Sequence, residues 1–216
     1  MRRIPFAILS FGGLSCLSMP AQYDTASAPD GGKAVAGVSV VAMGGTYEVP
    51  TDDVGLSDPQ PYTLGGLRGD FQAGYGFARA VEVGFQSGLF AGVFSSDGDS
   101  PSYTATFQGD LYPYGKFALS SGNLHFALKL AAGGGLVYMS GDAIPFPILG
   151  VYSDLLVGMG DPEKFTFGIR ASTHQPHLSL LFAFRVSGLI FGSTAGFVPM
   201  RGGYRAGLYI GVAKAL

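Results

Sequence analysis

The chain has 216 residues, which suits a single domain, and 13% of them are charged, about half of the usual share. So few charges cannot cover a soluble globule, whereas 47% hydrophobic and 13% aromatic residues are too many for a disordered chain. A formal net charge of −2, without any basic cluster, excludes a nucleic-acid-binding protein. The composition therefore predicts a protein with an unusually apolar surface.

The chain is predicted to start with an export signal. Arg2 and Arg3 precede the apolar stretch IPFAILSFGGLS, which is shorter than the roughly 20 residues of a membrane-spanning helix. Cys16, the single cysteine, follows that stretch directly, and Ser15 is the small residue expected before an acylated cysteine. We predict lipidation at Cys16; the alternative is cleavage after Ala21, which would remove Cys16 with the signal.

Ten segments with a period of two residues follow along the chain. Apolar side chains occupy one parity of each segment, and glycine, polar and charged side chains occupy the other, less cleanly in the ninth. We predict ten antiparallel strands, with eight as the alternative. In chain order the segments begin at Lys33, Leu64, Ala80, Tyr103, Leu124, Ile148, Lys164, His177, Gly188 and Gly203. The fourth is expected to end at Tyr112.

The breaks between these segments alternate between long and short, as in transmembrane barrels with long outer loops and short periplasmic turns. Segments of about 9 to 13 residues match a strand that crosses the hydrocarbon at a tilt. The polar parity is rich in glycine, serine and threonine, which suits a crowded barrel interior better than a wet outer face. We predict a closed antiparallel up-and-down transmembrane β-barrel over residues 33–216, after a signal at 1–21 and a periplasmic linker at 22–32.

Charged residues of the polar parity are predicted to face the barrel lumen. Positive and negative charges are nearly balanced, and buried unpaired charge is costly, so mutual pairing is expected. A structural salt-bridge network is the interpretation we adopt, and a selectivity ring or ligand site is the alternative. The predicted lumen charges are Arg68, Asp70, Glu82, Asp110, Lys129, Asp154, Arg170, Arg185 and Arg205.

The stretch RAGLYIGV near the C-terminus resembles the assembly signal of small outer-membrane β-barrel proteins of Gram-negative bacteria, in the broad OmpA/OmpW-like class. Arg205 and Gly207 supply its polar and glycine positions, and Ile210 and Val212 supply its alternating apolar positions. The resemblance covers residues 33–216. It implies an outer-membrane location, contact with outer-membrane lipid and recognition by the barrel-assembly machinery. The stretch from Cys16 into the first segment is similar to that of barrel lipoproteins.

An enzyme is the first alternative to a structural barrel or a narrow passive channel. His177 and Ser179 resemble the His-x-Ser pair of lipid A deacylases, which are small outer-membrane barrels. However, no acidic residue follows Glu163, and the pair lies on the lumen parity, whereas that family presents it to lipid. We therefore predict no catalytic residue. The second alternative is a soluble lipocalin-like binding barrel.

A metal site is the other possibility that the histidines raise. His174 and His177 flank a loop in the stretch HQPH, but the sequence places no third ligand at a suitable spacing. Two loop histidines of this kind are more often simply solvated. We predict no metal and no cofactor.

Overall fold

The computed structural model describes residues 25–28, 31–49, 60–78, 80–96, 102–140, 146–160, 163–173, 178–198 and 203–215. Within these ranges the chain forms ten strands, each antiparallel to its neighbour in the sequence, and β1 pairs with β10 to close the barrel. The predicted closed, up-and-down barrel of ten strands is confirmed. No helix of the described ranges is long and apolar enough to cross a membrane.

The strands differ in length. Strands of 14 to 20 residues make up β1 to β6, and strands of 8 to 13 residues make up β7 to β10. In chain order they are β1 (Ala34–Val49), β2 (Gln60–Ala78), β3 (Val81–Ser96), β4 (Ser102–Ser121), β5 (Leu124–Met139), β6 (Phe146–Met159), β7 (Phe165–Ser172), β8 (Leu178–Val186), β9 (Leu189–Val198) and β10 (Gly203–Ala215).

The barrel has two different ends. One end, here called the turn end, contains the start of β1, the end of β10 and the short connections at residues 122–123 and 187–188. Ser187 and Gly188 both have positive φ, 51° and 83°, as a two-residue type I′ hairpin turn requires. The opposite end, here called the loop end, contains the connections after β1, β3, β5, β7 and β9, whose residues lie largely outside the described ranges. The predicted alternation of long and short breaks holds as far as β6, but the connection at 160–164 is as long as the next one, at 173–177.

Strand β4 does not end at Tyr112 as predicted. It continues through Pro113 to Ser121. Pairing with β5 runs up to Leu111 and resumes at Tyr114, so the interruption falls where proline has no N–H to donate. On its other side Pro113 stays in register with β3, opposite Phe85. A proline that would end an isolated strand is thus accommodated between two neighbours.

In the sequence pattern the first segment ends at Met43 and the second begins at Leu64, which predicts a break at residues 44–63 that is longer than the one in the structure. Strands β1 and β2 stay paired as far as Val49 and Gln60. This part lacks the clean apolar alternation that marks the rest of β1. Backbone pairing across two adjacent strands does not need that alternation, and it satisfies N–H and C=O groups that would otherwise need other partners. The sequence pattern therefore marks only the part of these strands with an apolar face.

The two faces of the wall have the predicted polarity. Large apolar side chains on the outside are widely exposed, with Leu89 at 73% and Leu149 at 83%. Charged and amide side chains on the inside are buried, so that Arg68, Glu82 and Lys129 are 0% exposed. This is the reverse of a soluble globule, in which charged residues are almost never fully buried. The charged and amide side chains that could form a functional site therefore lie in the lumen.

Candidate functional site in the barrel lumen

The lumen is filled by side chains of different character along its length. An apolar cluster includes Leu64, Phe90, Val137, Met139 and Ile148, which lie in the loop-end halves of their strands. A second apolar cluster lies toward the turn end. The lumen also contains a network of charged, amide and tyrosine side chains. This central network consists of Arg68, Asp70, Glu82, Gln86, Gln108, Asp110, Tyr114, Lys116, Lys129, Tyr152, Asp154 and Arg170. The inside of the barrel is thus a packed core with a charged component.

Arg68 is held by two carboxylates. Its Nε donates to Asp70 Oδ1 at 2.7 Å, and its Nη1 and Nη2 donate to the two oxygens of Asp110 at 2.6 and 2.7 Å. Gln108 adds a hydrogen bond of 2.8 Å to Asp110. Bidentate pairs of this kind are among the strongest hydrogen bonds in proteins. The guanidinium and both carboxylates are therefore paired although water does not reach them.

A second cluster joins β3 and β4. Lys116 Nζ lies 2.5 Å from Glu82 Oε2, and the Tyr114 hydroxyl donates to Glu82 Oε1 at 2.6 Å. The ammonium of Lys129 lies 4.1 Å from the centroid of the Tyr114 ring, close enough for a cation–π interaction. Lys129 also donates to Gln86 at 3.4 Å. Charges and aromatic rings therefore stabilise each other in the middle of the lumen.

A third cluster joins β6 and β7. Arg170 Nε and Nη2 donate to the two oxygens of Asp154 at 2.6 and 2.8 Å. The same guanidinium lies 4.3 Å from the centroid of the Tyr152 ring, and the Tyr152 hydroxyl donates to Gln86 at 2.9 Å. This pair is therefore linked through Tyr152 and Gln86 to the cluster around Lys129.

The strand register explains why these charges meet. Directly paired residues of consecutive strands form one row around the wall. Side chains of one such row share a face of the sheet and lie within contact distance of each other. The row consists of Glu82, Lys116, Lys129, Asp154 and Arg170. The pairs Glu82–Lys116 and Asp154–Arg170 therefore follow from the register, whereas Arg68 and Asp70 are two residues apart on β2.

Glycines on the lumen parity provide the space that the network occupies. A methyl group at Gly88 would overlap the Arg68 guanidinium and the Asp70 carboxylate. A methyl group at Gly74 would overlap Glu82 and the Tyr114 hydroxyl. These two glycines of the lumen parity are thus covered by charged side chains. A narrow barrel can hold so many long side chains because the glycines beneath them have no side chain of their own.

Most of the predicted lumen charges lie in this network. Arg185 lies nearer the turn end, 3.8 Å from Glu163, and its Nη1 donates to Thr166 at 2.8 Å. Arg205 is in β10, opposite Gly45 of β1, but its side chain lies outside the described part. The described basic and acidic residues of the lumen are equal in number: Arg68, Lys116, Lys129, Arg170 and Arg185 against Asp70, Glu82, Asp110, Asp154 and Glu163.

Two lumen charges were missed from the sequence. Lys116 was missed because the fourth strand was predicted to end before Pro113. Glu163 was missed because it belongs to the connection between β6 and β7, where parity gives no direction. Only the continuing alternation after Pro113, with Phe117 outside and Ala118 inside, could have indicated Lys116.

Ser179 lies inside the barrel and is 3% exposed, in register with Arg170 of β7. It therefore faces the lumen, as its parity predicted, and not the apolar outer wall. His174 and His177 lie outside the described residues. Among the described residues no three potential metal ligands are grouped together. The absence of a metal site and of a cofactor stays a prediction.

Two other predictions concern the ends of the chain. Cys16 lies outside the described residues, so its lipidation stays a prediction. In the segment that resembles the assembly signal, Ile210 and Val212 point outward, 47% and 43% exposed, and pair with Val40 and Val38 of β1. The side chain of Arg205 is not among those described. The apolar half of the segment thus contributes to the outer wall at the closing seam.

Comparison with known proteins adds two structural likenesses. No protein-family model and no curated protein sequence matches this chain. The translocator domain of the autotransporter NalP from Neisseria meningitidis aligns at 13% identity, with a TM-score of 0.40, over 88% of this chain and 89% of that domain. An outer membrane channel from Pseudomonas putida F1 aligns at 12% identity, with a TM-score of 0.42, over 89% of this chain and 100% of the channel.

Proposed function

We propose that the protein is a non-enzymatic β-barrel of the outer membrane of a Gram-negative-type bacterium, and that it rests as a closed, structural barrel. The single observation that carries this proposal is the inverted polarity of the wall. Its outer face is apolar on all the strands whose side chains are described, and its charges are buried and paired inside.

Lipid is the solvent that fits such an outer face. Each buried square ångström of apolar surface is worth about 25 cal/mol, so the many exposed leucines and phenylalanines would be costly in water. Closure between β1 and β10 leaves the barrel without a free strand edge, which a bilayer requires. Phe167, Phe182, Phe184 and Phe191 add a continuous aromatic surface on β7 to β9, with neighbouring ring centroids 5.1 to 6.0 Å apart.

The closed state follows from the filling of the lumen. Ten strands give an interior close to the size that side chains can fill, and here they fill it. The charged side chains of the central network are paired in salt bridges, and apolar side chains form clusters toward each end of the lumen. A hydrated path for ions would have to break several of these contacts. The structural barrel is therefore favoured over an open pore.

A narrow passive channel for small solutes is the second candidate. The central network favours it, because polar and charged side chains are what a hydrated path needs. In this case the apolar clusters would be the parts that open. Lipid A deacylation has less support, because Ser179 faces the lumen. Recognition by the barrel-assembly machinery and anchoring through an acylated Cys16 remain parts of the proposal that rest on the sequence.

Planar-bilayer recording tests the proposal. The protein is refolded into detergent, and folding is checked by the change of gel mobility on heating. We expect extraction only with detergent, insertion into vesicles, and low or no steady conductance, with a porin refolded in the same way as the positive control. Large steady conductance would refute the closed structural barrel and favour the channel. Solubility without detergent would refute the membrane location.

A further inference from the structure

Four residues that precede the first strand lie inside the barrel. Residues 25–28, here called the N-terminal segment, enter at the turn end. Ala26 is 0% exposed and packs in a cluster with Ala118 of β4, Ala127 of β5 and two leucines, Leu156 and Leu181. Ala28 packs against the same cluster. The segment thus completes the apolar packing at this end of the lumen.

The polar contacts of the segment involve its main chain. The backbone N–H groups of Ala26 and Ser27 donate to the two oxygens of Glu163 at 2.9 and 3.1 Å. On the other side Lys116 Nζ donates to the carbonyls of Thr25 and Ser27 at 3.4 and 3.1 Å. One side-chain contact is added by the Ser27 hydroxyl, 3.2 Å from Glu163. A carboxylate and an ammonium therefore hold a backbone that bends at Ala26 and Ser27.

The carboxylate of Glu163 is positioned by the barrel. The Thr166 hydroxyl donates to Glu163 Oε1 at 2.5 Å, and Arg185 donates in turn to that hydroxyl. Gly158 lies directly beneath, where a methyl group would overlap the Glu163 side chain. On the opposite side Lys116 is oriented by its ion pair with Glu82. Both groups that hold the segment are therefore fixed by contacts that do not involve the segment.

We propose that the turn end of the lumen is a binding site for a short, bent peptide segment with a small central side chain. Its resident ligand is the protein's own N-terminal segment, which closes the lumen on that side. Glu163 and Lys116 bind main-chain groups, which every peptide has. Selectivity comes from the pocket around Ala26, whose methyl group is fully buried among Ala118, Ala127 and the two leucines.

Thiol accessibility in the full chain tests this site. The chain carries Cys16→Ser and Ala28→Cys, so that one thiol reports on the segment. It is refolded in detergent and treated with a polyethylene-glycol maleimide that is too bulky to enter the barrel. We expect slow labelling in this parent. With Glu163→Gln we expect labelling about tenfold faster, equivalent to the loss of about 1.4 kcal/mol of binding free energy.

Two variants at the central position test the pocket without changing the barrel wall. Ala26→Leu is too large and should also label about tenfold faster. Ala26→Ser is the matched control and should label at the slow parental rate. The gel mobility shift on heating confirms that each variant is folded. If Glu163→Gln does not fold, the comparison of Ala26→Leu with Ala26→Ser tests the binding site by itself.

Fast labelling of the folded parent would overturn the proposal, because the segment would then lie outside. Equal rates for Ala26→Leu and Ala26→Ser would overturn the size-selective pocket. A folded Glu163→Gln variant that labels at the parental rate would overturn the role of the carboxylate. All these measurements are made in detergent, so their outcome is independent of the proposed membrane function.

Discussion

Replacing Asp110 by asparagine tests the central network most directly. Asn keeps the size of Asp110 but removes its charge, so of the two Arg68 hydrogen bonds of 2.6 and 2.7 Å one meets an amide NH2 group and is lost, the other has a neutral acceptor, and the bond that Arg68 donates to Asp70 remains. Arg68 is 0% exposed, and water cannot replace the lost partner. Breaking a buried ion pair by removing one partner costs about 3 to 5 kcal/mol. Because Asp70 remains, we expect a cost near 3 kcal/mol.

Equilibrium unfolding in urea, with the protein in lipid vesicles, measures this cost. The matched control is Leu111→Ala, the next residue along β4, which faces outward and is 48% exposed. The double variant Asp110→Asn with Arg68→Gln should be less destabilised than the sum of the two single variants, because each single variant already removes the Arg68–Asp110 interaction, and the Arg68–Asp70 pair is lost equally in Arg68→Gln and in the double variant. A cost below about 1 kcal/mol for Asp110→Asn, or additive single costs, would refute the reasoning.

Three further predictions follow from the wall and the N-terminus. Gly88→Ala should lower the free energy of unfolding by more than about 2 kcal/mol, because the added methyl group overlaps the Arg68 ion pair. Gly69→Ala is the control and should be nearly neutral, because its methyl group has open space outside the barrel. The urea midpoints of the two variants are compared. Phe167→Arg and Leu180→Arg each place a charge on the outer wall and should cost about 2 to 4 kcal/mol in vesicles; wild-type refolding of both would refute the lipid-facing parity. Mass spectrometry of the membrane-extracted protein should find acyl chains on Cys16, and a free N-terminus at Gln22 would contradict this.

The sequence predicts the strands and the direction of their side chains well, because a barrel wall between two solvents enforces strict alternation. Arg68, Asp110 and Lys129 could therefore be placed in the lumen. Their partners could not be predicted, since partners on different strands are set by register. The Arg68–Asp110 pair, for example, joins β2 and β4 across β3.

Other parts of the site were missed for more local reasons. Pro113 was expected near a strand end, but its missing N–H is absorbed by a gap in the pairing of β4 and β5. Glu163 lies in a turn, where side-chain direction has no period. Residues 25–28 were assigned to a linker, and their packing in the lumen depends on a pocket that exists only when several strands have come together.

The way in which the Arg68–Asp110 pair crosses β3 has a consequence for the order of assembly. The pairs Glu82–Lys116 and Asp154–Arg170 each join strands that are neighbours in the sequence, so each can neutralise itself as soon as one hairpin forms. Asp110 instead meets Arg68 over the bare backbone of Gly88, and this requires three aligned strands. A two-stranded intermediate of β3 and β4 would carry an uncompensated aspartate toward hydrocarbon. Strands β2 to β4 are therefore the smallest unit that satisfies this carboxylate, and under the proposed membrane location they should enter the bilayer together.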